Sequence, residues 1–158
     1  MIRHFMVRAL VTLSAGAGAA QPAGDRLADP EGCLSRQAEA NRPVADCVNE
    51  AQVACFQYEE ASPAANACFL AAKEEWGELI AARMDRIRAT APPEIAAIAG
   101  IEVKYDLRGN LMQCDRMEEL ALVREDPGPA VLARRVRCEA TAVGLAYAKL
   151  WLQSRDMH

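Results

Sequence analysis

Apolar residues recur at three- and four-residue spacing through most of this chain, which is the pattern of amphipathic helices. The clearest segment carries Phe69, Ala72, Trp76, Leu79, Ile80, Met84 and Ile87. A second segment repeats Val131, Cys138, Leu145 and Leu152 every seven residues, with Val136, Val143 and Leu150 alongside. Because Ala, Leu, Glu and Arg are frequent and runs of β-branched residues are few, the pattern predicts helices rather than strands.

Proline and capping residues mark the starts of these helices. Proline is tolerated in the first helical turn because the N–H that it lacks has no partner there. Asp29-Pro30 and Ser62-Pro63 each combine a capping side chain with such a proline. With Pro43, Pro93 and Pro129, these signals predict five helices, at about 30–40, 43–59, 63–89, 93–124 and 129–153.

The predicted fourth helix carries two apolar stripes. One consists of Ile95, Ile98, Ile101 and Tyr105, and the other of Leu107, Leu111, Cys114, Met117 and Ala121. Gly109-Asn110 lies inside this helix, at a cost of roughly 1 to 2 kcal/mol relative to Ala-Ala. We therefore expect a kink or a short break there.

The first 20 residues have the organisation of a secretory signal peptide. The segment begins with Arg3 and Arg8, continues through an apolar run at 7–13 that includes Arg8, and ends in small residues at 15–20, and no acid is present. The run is shorter than the roughly 20 residues that span a bilayer, and no cysteine directly follows the small residues. We expect cleavage and no stable membrane anchor, with a mitochondrial presequence as the alternative. The predicted organisation is signal peptide 1–20, unstructured lead-in 21–28, one helical domain 29–153 and frayed tail 154–158.

The net charge of the chain is informative about which classes of partner it can bind. The chain has 18 basic and 22 acidic residues. Loss of Arg3 and Arg8 with the leader would leave 16 basic residues and a net charge of −6. Nucleic-acid binding requires a basic surface, so we expect no nucleic-acid partner. An acidic surface favours encounter with a basic protein, such as a lysozyme or another basic envelope protein.

Six cysteines constrain the fold, and they are Cys33, Cys47, Cys55, Cys68, Cys114 and Cys138. An even number in a small exported domain indicates a disulfide framework, for which 15 pairings are possible. Cys47 and Cys55 lie about 12 Å apart along one predicted helix, and a disulfide tolerates about 7 Å. They cannot pair with each other unless that helix breaks.

Turns predicted at 41–42, 60–61 and 126–128 would bring the cysteines of consecutive helices to matching heights. The expected disulfides are therefore Cys33 with Cys47, Cys55 with Cys68, and Cys114 with Cys138. Each closes an αα hairpin and stabilises the fold by about 3 kcal/mol in the chain-entropy account. The predicted fold is an all-α, disulfide-stapled bundle of about five helices in a periplasmic or secreted protein.

Catalytic and metal sites have few candidate residues. His4 lies in the leader and His158 ends the chain, and there is no C-x-x-C sequence. We therefore expect no metal, no cofactor and no histidine-dependent nucleophilic catalysis. A carboxylate pair for glycoside hydrolysis could come from Glu74, Glu75, Glu78, Glu102, Asp106 and Asp115. Helical carboxylates usually form a solvated face, so we expect no enzyme.

Arginines at 134, 135 and 137 form a local basic spot across the predicted turn from Glu118, Glu119, Glu125 and Asp126. Ion pairing between the two helices is one interpretation, worth about 0 to 1 kcal/mol per pair. A contact patch for a partner is the other interpretation.

The cysteine spacing resembles that of a known family. Cys47 to Cys55, Cys68 to Trp76, then Leu79, Cys114 and Cys138 look like the LprI-like lysozyme-inhibitor family of small exported bacterial proteins. Gly77, Leu79-Ile80, Ala81 and Met84 depart from the residues typical of that family after the tryptophan, as do Leu107 and Leu111-Met112 before Cys114, and Thr141 is displaced by about two positions.

The resemblance implies a divergent member that inhibits lysozyme by protein–protein docking, and it transfers no inhibitory contact residue. Three alternatives stay open. They are a periplasmic interaction protein without lysozyme affinity, a carboxylate-dependent glycan hydrolase, and a helical hairpin protein of the mitochondrial intermembrane space.

Overall fold

The computed structural model describes residues 27–156, of which 81% are helical. Five α-helices follow in chain order, and they are α1 (Pro30–Glu39), α2 (Asp46–Ala51), α3 (Pro63–Thr90), α4 (Pro93–Leu122) and α5 (Pro129–Ser154). A 3-10 helix, Val53–Gln57, lies between α2 and α3. No strand occurs within these residues, and the predicted all-α, disulfide-stapled fold is confirmed.

Helix starts follow the local signals of the sequence. The Asp29 carboxylate accepts a hydrogen bond from the Gly32 N–H at 3.1 Å, and the Ser62 hydroxyl accepts one from the Ala65 N–H at 3.1 Å. These two caps satisfy N–H groups that have no partner inside α1 and α3. Proline begins α4 and α5 as well.

The central element is α5. It packs along α3 on one side and along α4 on the other, whereas α3 and α4 touch each other over a much shorter length. The hairpin of α1 and α2 also packs against α5. One face of α4 therefore meets α5, and its opposite face has no neighbour among the described helices.

Side chains pack closely in the core where α2, α3 and α5 meet. Trp76 and Tyr147 are buried with ring centroids 5.6 Å apart. Gly144 lets Val48 and Trp76 pack closely against α5, since a Cβ atom there would lie 2.5 Å from Val48 Cγ1 and 2.9 Å from Trp76 Cε2. The expectation that Trp76 belongs to the core is confirmed.

All three disulfides have the expected pairing. Cys33–Cys47, Cys55–Cys68 and Cys114–Cys138 have Cα–Cα distances of 5.7, 5.5 and 5.7 Å. The first joins α1 to α2, the second joins the 3-10 helix to α3, and the third joins α4 to α5. Each crosslink therefore fixes two consecutive helical segments.

The predicted helix at 43–59 is wrong in extent. Its α-helical part, α2, begins at Asp46 and ends at Ala51. Gln52 leaves the α conformation, with φ −92° and ψ 9°, and its side-chain amide donates through Nε2 to the Val48 carbonyl at 2.9 Å. The change of direction at Gln52 allows Cys55 to reach Cys68 on α3.

The expected break at Gly109-Asn110 is also absent, because α4 is continuous from Pro93 to Leu122. The Asn110 side chain donates through Nδ2 to the Ala142 carbonyl of α5 at 3.2 Å. An asparagine that bonds across to another helix does not compete with its own backbone. Asn110 therefore gives no reason to expect a break, and Gly109 is the one unfavourable residue of the pair.

At both ends of the domain, structure extends beyond the predicted limits. Leu27 is buried, and the Ala28 N–H donates to the Ala51 carbonyl at 2.9 Å, although both residues fall in the predicted lead-in. Ser154, assigned to the tail, is buried at the end of α5. The predicted signal peptide lies outside the described residues. Among the described helices, none has the length and apolar character needed to cross a bilayer.

Candidate functional site

Residues 53–61, here called the apical loop, connect α2 to α3 and contain the 3-10 helix. Cys55 ties the loop to α3 through Cys68. At its far end the Ser62 N–H donates to the Glu59 carbonyl at 3.1 Å, and Ala61 adopts a positive φ of 61°. The loop is therefore tied to α3 by the disulfide, and a local turn leads from its last residues into the cap of α3.

Large apolar side chains of the apical loop face solvent. Val53 is 58% exposed, and Phe56 and Tyr58 are each 43% exposed. Glu59 and Glu60 follow directly and are exposed as well. Aromatic residues are enriched at the centres of protein–protein interfaces, so this combination of exposed rings and a fixed backbone suits docking.

The Phe56 ring is held in place by two contacts. It packs edge-on against the Phe69 ring of α3, with centroids 5.4 Å apart. The Arg137 guanidinium of α5 lies over the Phe56 ring, 4.5 Å from its centroid. Such contacts contribute about 0.5 to 1.5 kcal/mol each, and they keep the exposed ring in one orientation.

One groove is lined by residues of this loop, and a second groove lies next to the first. The first has a volume of about 250 Å³ and is lined by Phe56, Tyr58, Asn66, Phe69, Arg134 and Arg137, among others. The second has a volume of about 440 Å³ and lies between α4 and α5. Because both are lined by Arg134 and Arg137, these two arginines form the ridge between them.

The predicted ion pairs of the arginine spot are confirmed for two of its three members. Arg134 pairs with Glu125, and Arg135 pairs with Glu118 and, at 3.3 Å, with Asp115. The Glu139 hydrogen bond, followed by the nearby carboxylates, raises the pKa of Arg135. Arg137 differs, because its guanidinium contacts the Phe56 ring.

A row of charges links all three long helices. Glu139 of α5 accepts from Lys73 of α3 at 2.6 Å and from Arg135 at 3.0 Å, and Arg135 reaches the α4 carboxylates. Burial alone would raise the pKa of Glu139, but the two cations outweigh it and lower that pKa. These ion pairs connect the three helices. Arg137 is not part of them, and it lines the groove beside Phe56.

The six candidate carboxylates for glycoside hydrolysis do not line the two grooves described above. Asp106 pairs with Lys149 at 2.8 Å, a hydrogen bond that raises the pKa of Lys149, and Asp115 pairs with Arg135. Glu74, Glu78 and Glu102 are exposed on α3 and α4. None of the six predicted candidates lines either groove beside the apical loop.

One cluster has the residue types of a metal site. The Cys33 and Cys47 sulfurs and the Glu50 carboxylate lie within 4.8 Å of one another. Both sulfurs belong to a disulfide, whereas thiolates are the form that ligates metals. The Glu50 oxygen, 3.3 Å from the Cys33 sulfur, is then a packing contact.

The apical loop was not singled out by the sequence patterns. A helix predicted through residue 59 places Val53, Phe56 and Tyr58 on its surface without grouping them. The available signal was the aromatic pair Phe56 and Tyr58 beside Glu59-Glu60, just before the Ser62-Pro63 helix start.

Comparisons of this chain with known protein families, with characterised proteins and with solved structures find no match.

Proposed function

We propose that the protein is an exported binding protein that docks on a lysozyme-type muramidase through the apical loop and blocks its cleft. The observation that carries the proposal is the exposed Phe56 and Tyr58 pair on a backbone held by the Cys55–Cys68 disulfide. Preorganised aromatic side chains reduce the entropy lost on association.

Charge supports a basic partner. Glu59 and Glu60 are exposed at the loop, and the mature chain predicted from the sequence carries a net charge of −6. Opposite charge accelerates encounter, and this effect decreases as salt screens it. The resemblance of the cysteine spacing to the LprI-like family supports a muramidase as the particular basic partner.

Export is part of the same proposal. The leader pattern at residues 1–20 and three disulfides in a small domain are both expected of a protein that folds in an oxidising compartment. A periplasmic or secreted location would place the protein where muramidases act.

The direct test titrates oxidised protein into a lysozyme assay that follows the turbidity of bacterial cell walls. We expect slower clearing that saturates with the ratio of the two proteins and weakens with salt. Unchanged clearing at a large molar excess would overturn the muramidase as partner.

A charge-matched pair of variants tests the docking surface. Glu59→Lys with Glu60→Lys changes the apical loop, whereas Glu74→Lys with Glu78→Lys makes the same change in net charge on the exposed surface of α3. We expect the first pair to weaken inhibition at least tenfold, since like charges facing each other across an interface cost several kcal/mol. Equal losses in the two variants would indicate that net charge, and not the loop, controls binding.

A further inference from the structure

The outer face of α4 carries large apolar side chains that no described element covers. Ile98, Ile101, Tyr105 and Met112 are 52, 56, 66 and 43% exposed. At about 100° per residue these four positions lie within about 40° of the direction opposite Val103, which is buried against the core. The predicted first stripe of this helix is therefore real, but it faces solvent.

Gly109 lies on the border of this exposed stripe. A Cβ atom added there would meet nothing within 4 Å, so no contact inside the chain requires a glycine. It sits inside the 30-residue α4, where glycine is the least favoured residue after proline. Glycine on an exposed helix face allows a second backbone to approach closely.

Residues on either side of Gly109 are complementary to one another. Glu102 and Arg116 lie seven residues before and after it, and both are exposed. Ile98 and Leu120 lie eleven residues before and after it, and both are apolar and exposed. In an antiparallel pair of helices with a two-fold axis at Gly109, a residue a given number of positions before Gly109 meets the residue the same number of positions after it on the second copy.

Two further positions agree with this arrangement. Tyr105 lies four residues before Gly109 and Met112 three residues after it, so the ring of one copy would pack on the thioether of the other. Lys104 and Asp115 lie five residues before and six after it, on the opposite edge of the stripe. Asp115 already contacts Arg135 of its own chain at 3.3 Å and would be shared.

We propose that two copies of this chain form a two-fold symmetric dimer in which the outer faces of α4 pack antiparallel and cross at Gly109. Apolar side chains fill the centre, and Glu102 of each copy pairs with Arg116 of the other. The surface is separate from the apical loop, so the dimer does not depend on the proposed inhibition of lysozyme.

Sedimentation equilibrium of the full oxidised chain tests the dimer. We expect a concentration-dependent mass that approaches twice that of the monomer. Ile101→Asp should raise the dissociation constant at least 100-fold, since it places a charged carboxylate in the apolar face that the dimer buries. Leu132→Asp is the matched control, because Leu132 is 51% exposed on α5, away from α4's outer face, and this change should leave the dimer intact. Circular dichroism establishes that both variants fold.

A charge exchange tests the register. Glu102→Arg and Arg116→Glu should each weaken the dimer about tenfold by placing like charges together, and the double variant should return to within about threefold of the original. A monomer at all concentrations, or a dimer that Ile101→Asp does not affect, would overturn the proposal. Failure of the double variant to recover would overturn the crossing at Gly109.

Discussion

Two hairpins of this protein are closed by the same covalent device and have different surroundings. Cys33–Cys47 links residues 14 apart and Cys55–Cys68 links residues 13 apart. Around the first, Leu34, Val48 and Ala51 are buried in the main core. The second belongs to a small cluster with Phe69, Val136 and Ala140, and its loop exposes Val53, Phe56 and Tyr58.

The difference shows that one disulfide can reinforce a packed core while another fixes a loop with solvent-exposed side chains. In the α1–α2 hairpin it adds to contacts that already bury apolar area. In the apical loop there is little burial to offset the entropy of ordering the chain, which costs about 1 to 2 kcal/mol per residue for the backbone. We infer that the second crosslink chiefly orders a surface segment.

The largest expected effect comes from removing each crosslink. Both loops contribute about 3 kcal/mol in the chain-entropy account. Replacing Cys33 and Cys47 by alanine also leaves space at two buried positions, which adds about 1 to 2 kcal/mol, whereas only Cys55 is fully buried in the second pair. We expect losses near 4 to 5 kcal/mol for the first variant and about 1 kcal/mol less for the Cys55→Ala, Cys68→Ala variant, measured by urea unfolding.

Inhibition or binding assays complete this comparison. The apical variant should lose binding to its partner while keeping a cooperative unfolding transition, and the α1–α2 variant should keep binding at temperatures where it is folded. Equal losses of stability in both variants, or unimpaired binding by the apical variant, would contradict the assignment of different roles to the two disulfides.

The second prediction concerns close packing in the core beside the α1–α2 hairpin. Gly144→Ala would place Cβ 2.5 Å from Val48 Cγ1 and 2.9 Å from the Trp76 ring. Because Val48 and Trp76 are buried and cannot move freely, we expect a loss of about 2 to 3 kcal/mol. Gly77→Ala is the control, since Gly77 is exposed on α3 with open space and should gain about 0.5 to 1 kcal/mol. Thermal unfolding of both variants measures the contrast.

The third prediction concerns the hydrogen bond that joins α5 to α1. The buried Tyr147 hydroxyl donates to Glu31 Oε1 at 2.5 Å, and Arg86 also binds Glu31, at 3.0 Å. Burial, followed by the Glu31 hydrogen bond and its charge, raises the pKa of Tyr147 well above its usual value. Above about pH 10 the phenol ionises in the unfolded chain and not in the folded one. Stability from this group is therefore complete below pH 10 and decreases as pH rises further.

Tyr147→Phe should lower stability by about 1 kcal/mol at pH 7, because Glu31 loses one of its partners. Its unfolding free energy should also decrease less steeply between pH 10 and 11.5 than that of the original chain. Chemical unfolding across this range measures the difference, and lysine titration cancels because both chains contain the same lysines. Parallel pH profiles would contradict the assignment.

Much of the fold could be predicted from local patterns, for identifiable reasons. The stripe from Phe69 to Ile87 and the caps at Asp29 and Ser62 depend on neighbours within a few residues, and the structure confirms them. The break at Gln52 could not be predicted, because glutamine favours helices and the change of direction depends on where α3 lies. Helical spacing likewise identified the Ile98 and Tyr105 stripe, but spacing alone does not show whether a neighbouring helix covers it.

The smallest expected effect on stability comes from the apical loop itself. Phe56 is 43% exposed and contacts Phe69 and Arg137. Phe56→Ala removes one edge-on ring contact and one cation–π contact at a partly solvated position, so we expect a loss of about 1 kcal/mol. Alanine substitution of a fully buried phenylalanine would cost about 3 to 5 kcal/mol.

Because the Phe56 ring lies at the centre of the proposed docking surface, binding should decrease far more than stability, by about 100-fold. Phe56→Leu separates the two roles, since it retains much of the apolar contact with Phe69 while lacking the ring. Chemical unfolding measures the stability of both variants, and titration calorimetry measures their affinity for the partner. A loss of stability above 3 kcal/mol with unchanged affinity would show that Phe56 contributes to packing and not to docking.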